Sequence, residues 1–464
     1  MCTAVFSIFV YSDFSIVYHT VRSKITVFND LFHRIVSIIL GIAVFAGGVA
    51  YGSQQFQLKQ LYNAYIAKST FISDNYADPR TTTVVFPEKK RNLIHIYLES
   101  MENSYLSKDL GGYMDENLMP ELTELAYEGD VFSNTSGKFG GPLQGIGTQW
   151  SVASMVNMTT GLPMKVPTER NSYGSEGNFL PGAYTMCDML KDQGYEQTVM
   201  FGADANFGGL TYMYELHGDV KIFDYRYAVK NGYIPKDYKE WWGYEDDKLY
   251  EFAKEELTRL YETGKPFNFM METADTHRPH GYLSKNAPTP YEDQYSNVIA
   301  YSSSQVVEFV RWIQQQPYYD NTTIVLIGDH LSMDTDFFED FDKDYLRTQF
   351  NLIINPAPNV SNTPAERFIN RQYCNFDMFP TILASMGVEI QGNRLGIGTN
   401  LFSDTPTVFE EFGYEYVNNE LEKKSEFMNT NILATRAVQL RIQQQTKMLT
   451  AKTRNITSNK ETHP

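Results

Sequence analysis

Two apolar runs organise this chain. Asn92–Tyr97 (NLIHIY) and Thr322–Ile327 (TTIVLI) are short, rich in β-branched and aromatic residues and free of charge apart from one histidine. That pattern predicts strands covered on both faces of a sheet. The first delivers Leu98-Glu99-Ser100 to its carboxyl end and the second Gly328-Asp329-His330, so two strands end in residues of the metal-ligand type. A third strand-like run, Phe267–Met271, leads into the polar stretch Asp275-Thr276-His277-Arg278-Pro279, which is poor core material. A fourth piece, Gly145-Ile146-Gly147-Thr148, precedes a helical pattern from Gln149 to Met158. It is expected to set the Thr148 hydroxyl at a helix N-terminus, where backbone N–H groups and the dipole favour negative charge. These elements predict an α/β sandwich with a mostly parallel central sheet and helices on both faces. In open α/β sheets ligands bind beyond the carboxyl ends of the strands, where both ligand-bearing strands point. A smaller subdomain is expected after about Asn351.

The N-terminal pattern is different. Ile35–Tyr51 is a run of 17 uncharged, mostly apolar residues, the short end of what crosses a hydrocarbon layer about 30 Å thick. Arg22, Lys24, His33 and Arg34 precede it and no Lys or Arg follows until Lys59, so the positive-inside rule puts the following domain outside the cytoplasm. An earlier apolar run, Thr3–Val17, is interrupted by Asp13 and reads as the remnant of a preceding membrane helix. The expected organisation is a membrane portion over 1–54 with its main span at about 35–51, a juxtamembrane connector over 55–90, a catalytic domain over 91–405 and a C-terminal extension over 406–464. The connector carries a helical segment at Tyr62–Tyr65. The extension ends in a basic tail whose six Lys or Arg from residue 436 onward face one acid, Glu461. Such a tail suits either contact with anionic lipid or a solvated terminus.

Composition narrows the function. At 464 residues and 42% hydrophobic the chain can bury a large core. Its net charge of −17 argues against nucleic acid, whose phosphates an acidic surface repels. Three cysteines, at 2, 187 and 374, make no disulfide framework, though Cys187 and Cys374 could pair if the fold joins them. Glu99, Asp329, His330 and a hydroxyl form a hard-cation ligand set suited to Mn²⁺, Mg²⁺ or Zn²⁺. A threonine hydroxyl needs such activation before it attacks anything. Ser151, Thr159 and Thr160 are further hydroxyls close to Thr148 in sequence.

The motifs NLIHIYLESMENSYL, MPELTELAYEGDVFSN, GTQWSVASM, ADTHRPHGY, IVLIGDHLSM and NRLGIGTNLFS stand in one order from about Asn92 to about Phe402. Together they resemble the lipoteichoic acid synthase and phosphoglycerol transferase I group, in the sulfatase-like branch of the alkaline phosphatase superfamily. The resemblance implies that Glu99, Thr148, Asp329 and His330 hold one divalent ion, by preference Mn²⁺. It also implies that Thr148 is a covalent nucleophile carrying glycerol phosphate from phosphatidylglycerol. His277 is carried over as a phosphate or leaving-group contact that moves protons, with Arg278 and Trp242 as further substrate contacts. At Phe201–Gly209 (FGADANFGG) the chain departs from the synthase pattern, and only Asp204 carries over. Gly202-Ala203, Asp275-Thr276-His277 and Trp242–Asp247 lie closer to phosphoglycerol transferase I, which shifts the expected acceptor from a polyglycerolphosphate chain to an envelope glycan. Phosphoethanolamine transfer, other phosphodiester hydrolysis and a catalytically silent envelope protein stand as alternatives. The missing C/S-x-P-x-R motif sets aside the formylglycine sulfatases. The resemblance places the catalytic domain on the outer side of the cytoplasmic membrane and leaves the oligomeric state open.

Overall fold

The computed structural model describes residues 15–165 and 178–434. The chain divides into two units, Met1–Ala67 and Lys68–Pro464. In the first, an antiparallel hairpin of Ile16–His19 and Lys24–Phe28 precedes helix α1, Asp30–Gln55. Asn29 caps α1 by accepting a hydrogen bond from the Phe32 N–H at 2.9 Å. Its 25-residue segment Leu31–Gln55, with an 18-residue stretch of mean hydropathy 2.2, is long and apolar enough to cross a membrane, since 1.5 Å per residue gives roughly 37 Å. The helix extends beyond the expected span of 35–51 at both ends. The end of the Thr3–Val17 run, from Ile16, is strand; its residues before 15 lie outside the described residues, as does the basic tail. A short helix, Leu58–Tyr65, ends the unit where a helix was expected.

The second unit is built on a six-stranded sheet. Its strands are β1 (Asn92–Leu98), β2 (Glu196–Phe201), β3 (Lys221–Phe223), β4 (Phe267–Glu272), β5 (Thr322–Gly328) and β6 (Asn351–Ile354), in the spatial order β6-β5-β1-β4-β2-β3. All neighbours are parallel except β6, which runs antiparallel along β5 at one edge. The three expected strands are the three central ones. Alternate residues of β1 enter opposite cores, Leu93 and Tyr97 on one face and Ile94, Ile96 and Leu98 on the other, which is why the run reads as continuously apolar. The first face is covered by helices α2 (Ser151–Thr160) and, later in the chain, α5 (Met378–Ser385). The second is covered by α3 (Asp246–Glu262) and α4 (Gln294–Gln314).

Residues past Asn351 do not form the separate subdomain expected of them. β6 joins the main sheet, and α5 has no polar face, every one of its residues being buried, so it sinks into the core that α2 shares. From Lys68 the expected connector is likewise part of the second unit. Lys68–Ser69 pairs in parallel with Lys424–Ser425, and Val84–Val85 pairs with Glu389–Ile390. Beyond residue 405, Val408 and Phe409 and the residues Val417 and Leu421 of helix α6 (Tyr414–Glu422) enter the same core. Cys187 and Cys374 are free and buried, so the possible pairing is not made.

Candidate active site

Register brings the central carboxylates together. Leu98 of β1 lies opposite Gly328 of β5, so the next residues, Glu99 and Asp329, leave the sheet side by side. Gly328 allows this because a Cβ there would sit 1.9 Å from the Met101 carbonyl oxygen. Ser100 follows with φ +54, turning the chain so that its N–H donates to Asp329 Oδ1 at 2.8 Å and its hydroxyl to Glu99 Oε1 at 2.6 Å. His330 Nδ1 donates to the Leu331 carbonyl at 2.8 Å, which leaves Nε2 with a lone pair 3.5 Å from Glu99 Oε1 and 3.4 Å from Asp329 Oδ2. One ligand atom from each of Glu99, Asp329 and His330 lies within 4.8 Å of the others, all buried.

The electrostatics are those of a cation site. Burial pushes the Asp329 carboxyl up to about 7, and the Glu99 carboxylate beside it adds to the rise. Burial would also raise Glu99, but His330, His277 and the Ser100 hydroxyl outweigh it and hold the carboxyl below its usual range. Burial opposes charge on His330 as well, and the two carboxylates overcome it to raise the imidazole. Asp329 Oδ2 is buried without a hydrogen-bond partner. Two carboxylates and an imidazole lone pair converging on one point, with an oxygen left unsatisfied, fit a hard divalent cation.

The hydroxyl that completes the cluster is not the expected one. Thr148 is fully buried and its Oγ1 is bonded within its own turn, donating to the Gly145 carbonyl and accepting from the Gly145 N–H, each at 3.0 Å. Cys374 Sγ, 3.8 Å away, closes its other side. Gly147, at φ +83 and packed against Pro163 and Met164, makes the tight turn that sends Thr148 inward. The helix also begins later than Gln149. Trp150 is extended, and Ser151 opens α2 with its hydroxyl donating to Glu99 Oε2 at 3.0 Å and 3.4 Å from His330 Nε2. Ser151 is therefore the hydroxyl of the cluster, half-buried and accessible where Thr148 is not. The residues offered only a weak signal, a serine directly before Val152 and Ala153, and the same helical pattern could equally begin at Gln149.

The same helix locks Asp329 from behind, because Ser154 Oγ and Asn375 Nδ2 both donate to the Asp329 carbonyl. α6 steadies the preceding loop, with Asn418 Oδ1 accepting from the Ile146 N–H at 2.7 Å and the Tyr414 hydroxyl donating to the Gln144 carbonyl at 2.7 Å.

His277 follows β4 on a loop pinned by buried acids. The Asp246 carboxylate accepts from the Ala274 and Asp275 N–H groups at 2.9 and 3.0 Å, and Asp275 Oδ2 accepts in return from the Asp246 N–H at 3.2 Å. Burial, reinforced by each other's charge or a neighbour's, pushes Asp246 up to about 7 and Asp275 to about 10. Thr276 Oγ1 donates to the Glu99 carbonyl, tying this loop to the cluster. His277 is half-buried, its Nδ1 is 2.7 Å from the Arg278 carbonyl, and its ring meets Trp242 edge-on at 5.0 Å between centroids. Trp242 is exposed beside it, as is Arg278. Asp204 is engaged elsewhere, accepting from Arg226 Nε at 2.7 Å and from the Asn206 backbone at 3.0 Å.

A mostly parallel sheet with a buried acid–histidine cluster at its carboxyl edge and a serine opening the adjacent helix defines an alkaline-phosphatase-like α/β protein. The chain belongs to the sulfatase family, whose model matches residues 91–388. Among curated proteins it is 29% identical to phosphoglycerol transferase I of Salmonella choleraesuis and 28% to that of Salmonella typhi. Each match runs over 337 residues, 71% of this chain and 41% of the relative. The chain thus spans about two fifths of the length of these relatives. Two solved structures share the fold. An alkaline phosphatase superfamily protein from Vibrio parahaemolyticus has a TM-score of 0.51 at 24% identity, covering 72% of this chain and 76% of that one. The lipoteichoic acid synthase LtaP of Listeria monocytogenes has a TM-score of 0.52 at 18% identity, covering 72% and 81%. The resemblance drawn from the motifs and these comparisons point to the same group.

Proposed function

We propose that this chain is a membrane-anchored, metal-dependent phosphoglycerol transferase that takes glycerol phosphate from phosphatidylglycerol and passes it to an envelope glycan. The observation that carries the reading is the Ser151 hydroxyl, at the first residue of a helix and 3.0 Å from Glu99 Oε2. The similarity to phosphoglycerol transferase I supports the donor and the glycan acceptor. The helix α1 supports the anchor, and the cations that precede its apolar run support an extracytoplasmic catalytic domain over 91–405.

Glu99, Asp329 and His330 would hold the divalent ion beside Ser151. When bound, such an ion lowers the pKa of a neighbouring hydroxyl and neutralises a phosphoryl oxygen. Ser151 Oγ attacks the phosphorus of the lipid headgroup, its proton passing to Glu99 Oε2, which already accepts its hydrogen bond. The phosphorus–oxygen bond to diacylglycerol breaks, and His277 Nε2 protonates the departing oxygen. The N–H groups of the first turn of α2 face the phosphoryl oxygens. In the second half-reaction an acceptor hydroxyl gives its proton to His277 and attacks the phosphorus. Ser151 Oγ leaves and recovers its proton from Glu99.

The test is product analysis of the full chain in detergent with Mn²⁺ and phosphatidylglycerol carrying a labelled acyl chain. Diacylglycerol release, with phosphoglycerol trapped on the peptide containing Ser151, is the expected outcome. Turnover of phosphatidylethanolamine but not phosphatidylglycerol would refute the headgroup assignment, and intact lipid in both cases would refute the transferase reading.

A further inference from the structure

Beside the cluster lies an aromatic feature that the two half-reactions above do not use. The segment Glu240–Gly243 is a two-residue turn, closed by the Glu240 N–H to the Gly243 carbonyl at 2.8 Å and the Gly243 N–H to the Glu240 carbonyl at 3.0 Å. Its tip is Trp241-Trp242. Gly243 presses on the chain after β2, where a Cβ would lie 2.1 Å from the Gly202 carbonyl oxygen, and bridges to Ala203. The tip is therefore anchored to the sheet's carboxyl edge. Trp241 sits at φ +55, a left-handed conformation that costs a bulky residue about 1 kcal/mol or more. Its indole N–H donates to the Ala274 carbonyl at 3.1 Å, on the loop that carries His277.

This strained turn displays its second tryptophan instead of burying it. Trp242 is 46% exposed and Phe207, 6.3 Å away between centroids, is 71% exposed. Trp241 continues the surface to Tyr282 at 6.4 Å. The four rings thus form one connected shelf, bent where Trp241 meets Trp242 at 6.1 Å and 74° between ring planes, whose inner edge is the Trp242 contact with His277 at 5.0 Å. Beside it the Tyr282 hydroxyl donates to Glu240 Oε2 at 3.2 Å, and Asp204, whose carbonyl accepts from the Phe207 N–H at 3.0 Å, pairs with Arg226 Nε at 2.7 Å. The Asp204 charge is thus matched by Arg226, and the Glu240 carboxylate offers an acceptor at the rim. Rings edged by carboxylate acceptors and a guanidinium donor suit a neutral, polyhydroxylated ligand, whose C–H face stacks while its hydroxyls hydrogen-bond at the rim.

We propose that Phe207, Trp242, Trp241 and Tyr282 form the acceptor subsite, stacking a pyranose ring of a neutral glycan so that one hydroxyl reaches His277 and Ser151. The proposal rests on the transferase reading for its meaning but is tested separately. The full chain carrying Ser151→Ala, in detergent, is titrated with maltohexaose, cellohexaose and laminarihexaose, following tryptophan fluorescence and saturation-transfer NMR. At least one hexasaccharide should bind and perturb tryptophan emission. Adding Trp242→Ala should weaken it about tenfold and Phe207→Ala about threefold, while Trp242→Phe keeps most of the affinity. Failure of all three sugars to bind, or binding undiminished by Trp242→Ala, overturns the proposal. So does loss of binding to phosphatidylglycerol vesicles in Trp242→Ala with no sugar bound, which would make the shelf a lipid contact. Sugar binding by a protein that releases no diacylglycerol from phosphatidylglycerol sinks the transferase reading alone. Diacylglycerol release without sugar binding sinks the shelf alone.

Discussion

Replacing Ser151 and Thr148 in turn separates chemistry from scaffold. Ser151→Ala removes a half-buried hydroxyl with contacts at 3.0 and 3.4 Å, at a stability cost of about 1 kcal/mol or less. If Oγ is the nucleophile, diacylglycerol release should fall on the order of 10³-fold or more. Thr148→Ala removes a fully buried hydroxyl that bonds both the N–H and the carbonyl of Gly145 at 3.0 Å. Leaving that N–H unpaired costs about 1–3 kcal/mol, a fall in Tm of roughly 1–4 °C for a unit of this size. Below its melting range the variant should keep activity within a few-fold. The assay is initial-rate release of labelled diacylglycerol at saturating Mn²⁺, beside thermal melts of the same preparations. Ser151→Thr, which retains a hydroxyl, should retain measurable turnover. Loss of turnover in a folded Thr148→Ala protein, with Ser151→Ala active, would refute the reasoning outright.

Three further outcomes follow from the packing. Asp275 titrates near 10 in the fold because burial and Asp246 raise it. The native state therefore binds a proton the unfolded chain lacks between about pH 4 and 10, and stability falls as pH rises through that window. Asp275→Asn, melted in EDTA across the pH range, should flatten this slope, and an unchanged slope would contradict the cause given. Arg347 pairs with Glu102, which is fully buried and also accepts from the Ser332 N–H. Arg347→Ala strands that carboxylate, so urea denaturation should show a loss of about 2–4 kcal/mol, and a loss under 1 kcal/mol would count against it. Gly328→Ala drives a methyl into the Met101 carbonyl at the point where Asp329 leaves the sheet. It should weaken Mn²⁺ binding by calorimetry more than tenfold, and wild-type affinity would show that the register of β1 and β5 does not set the ligand geometry.

Much of this protein was legible in its residues. Asn92–Tyr97, Phe267–Met271 and Thr322–Ile327 are apolar on both sides because both faces of the sheet are covered, and a continuous run needs no partner to be recognised. Glu99, Asp329 and His330 were identifiable by position, since polar ligand types directly after such strands emerge where α/β sheets bind. The choice between Thr148 and Ser151 was not legible. The two hydroxyls lie three residues apart, and which one faces the carboxylates depends on the turn at Gly147 and on where α2 begins. The packing of Pro163 and Met164 on that turn, and of α6 on the loop before it, fixes both. The pairing of Leu98 with Gly328, the place of residues 351–434 in the main core and the gathering of Phe207, Trp241, Trp242 and Tyr282 into one shelf were likewise decided by contacts distant in sequence. Local pattern determines which segments are strands and what they carry to the sheet's edge. Only tertiary packing decides which side chains meet there, because a shift of one residue in register or helix start points a different group at the same place.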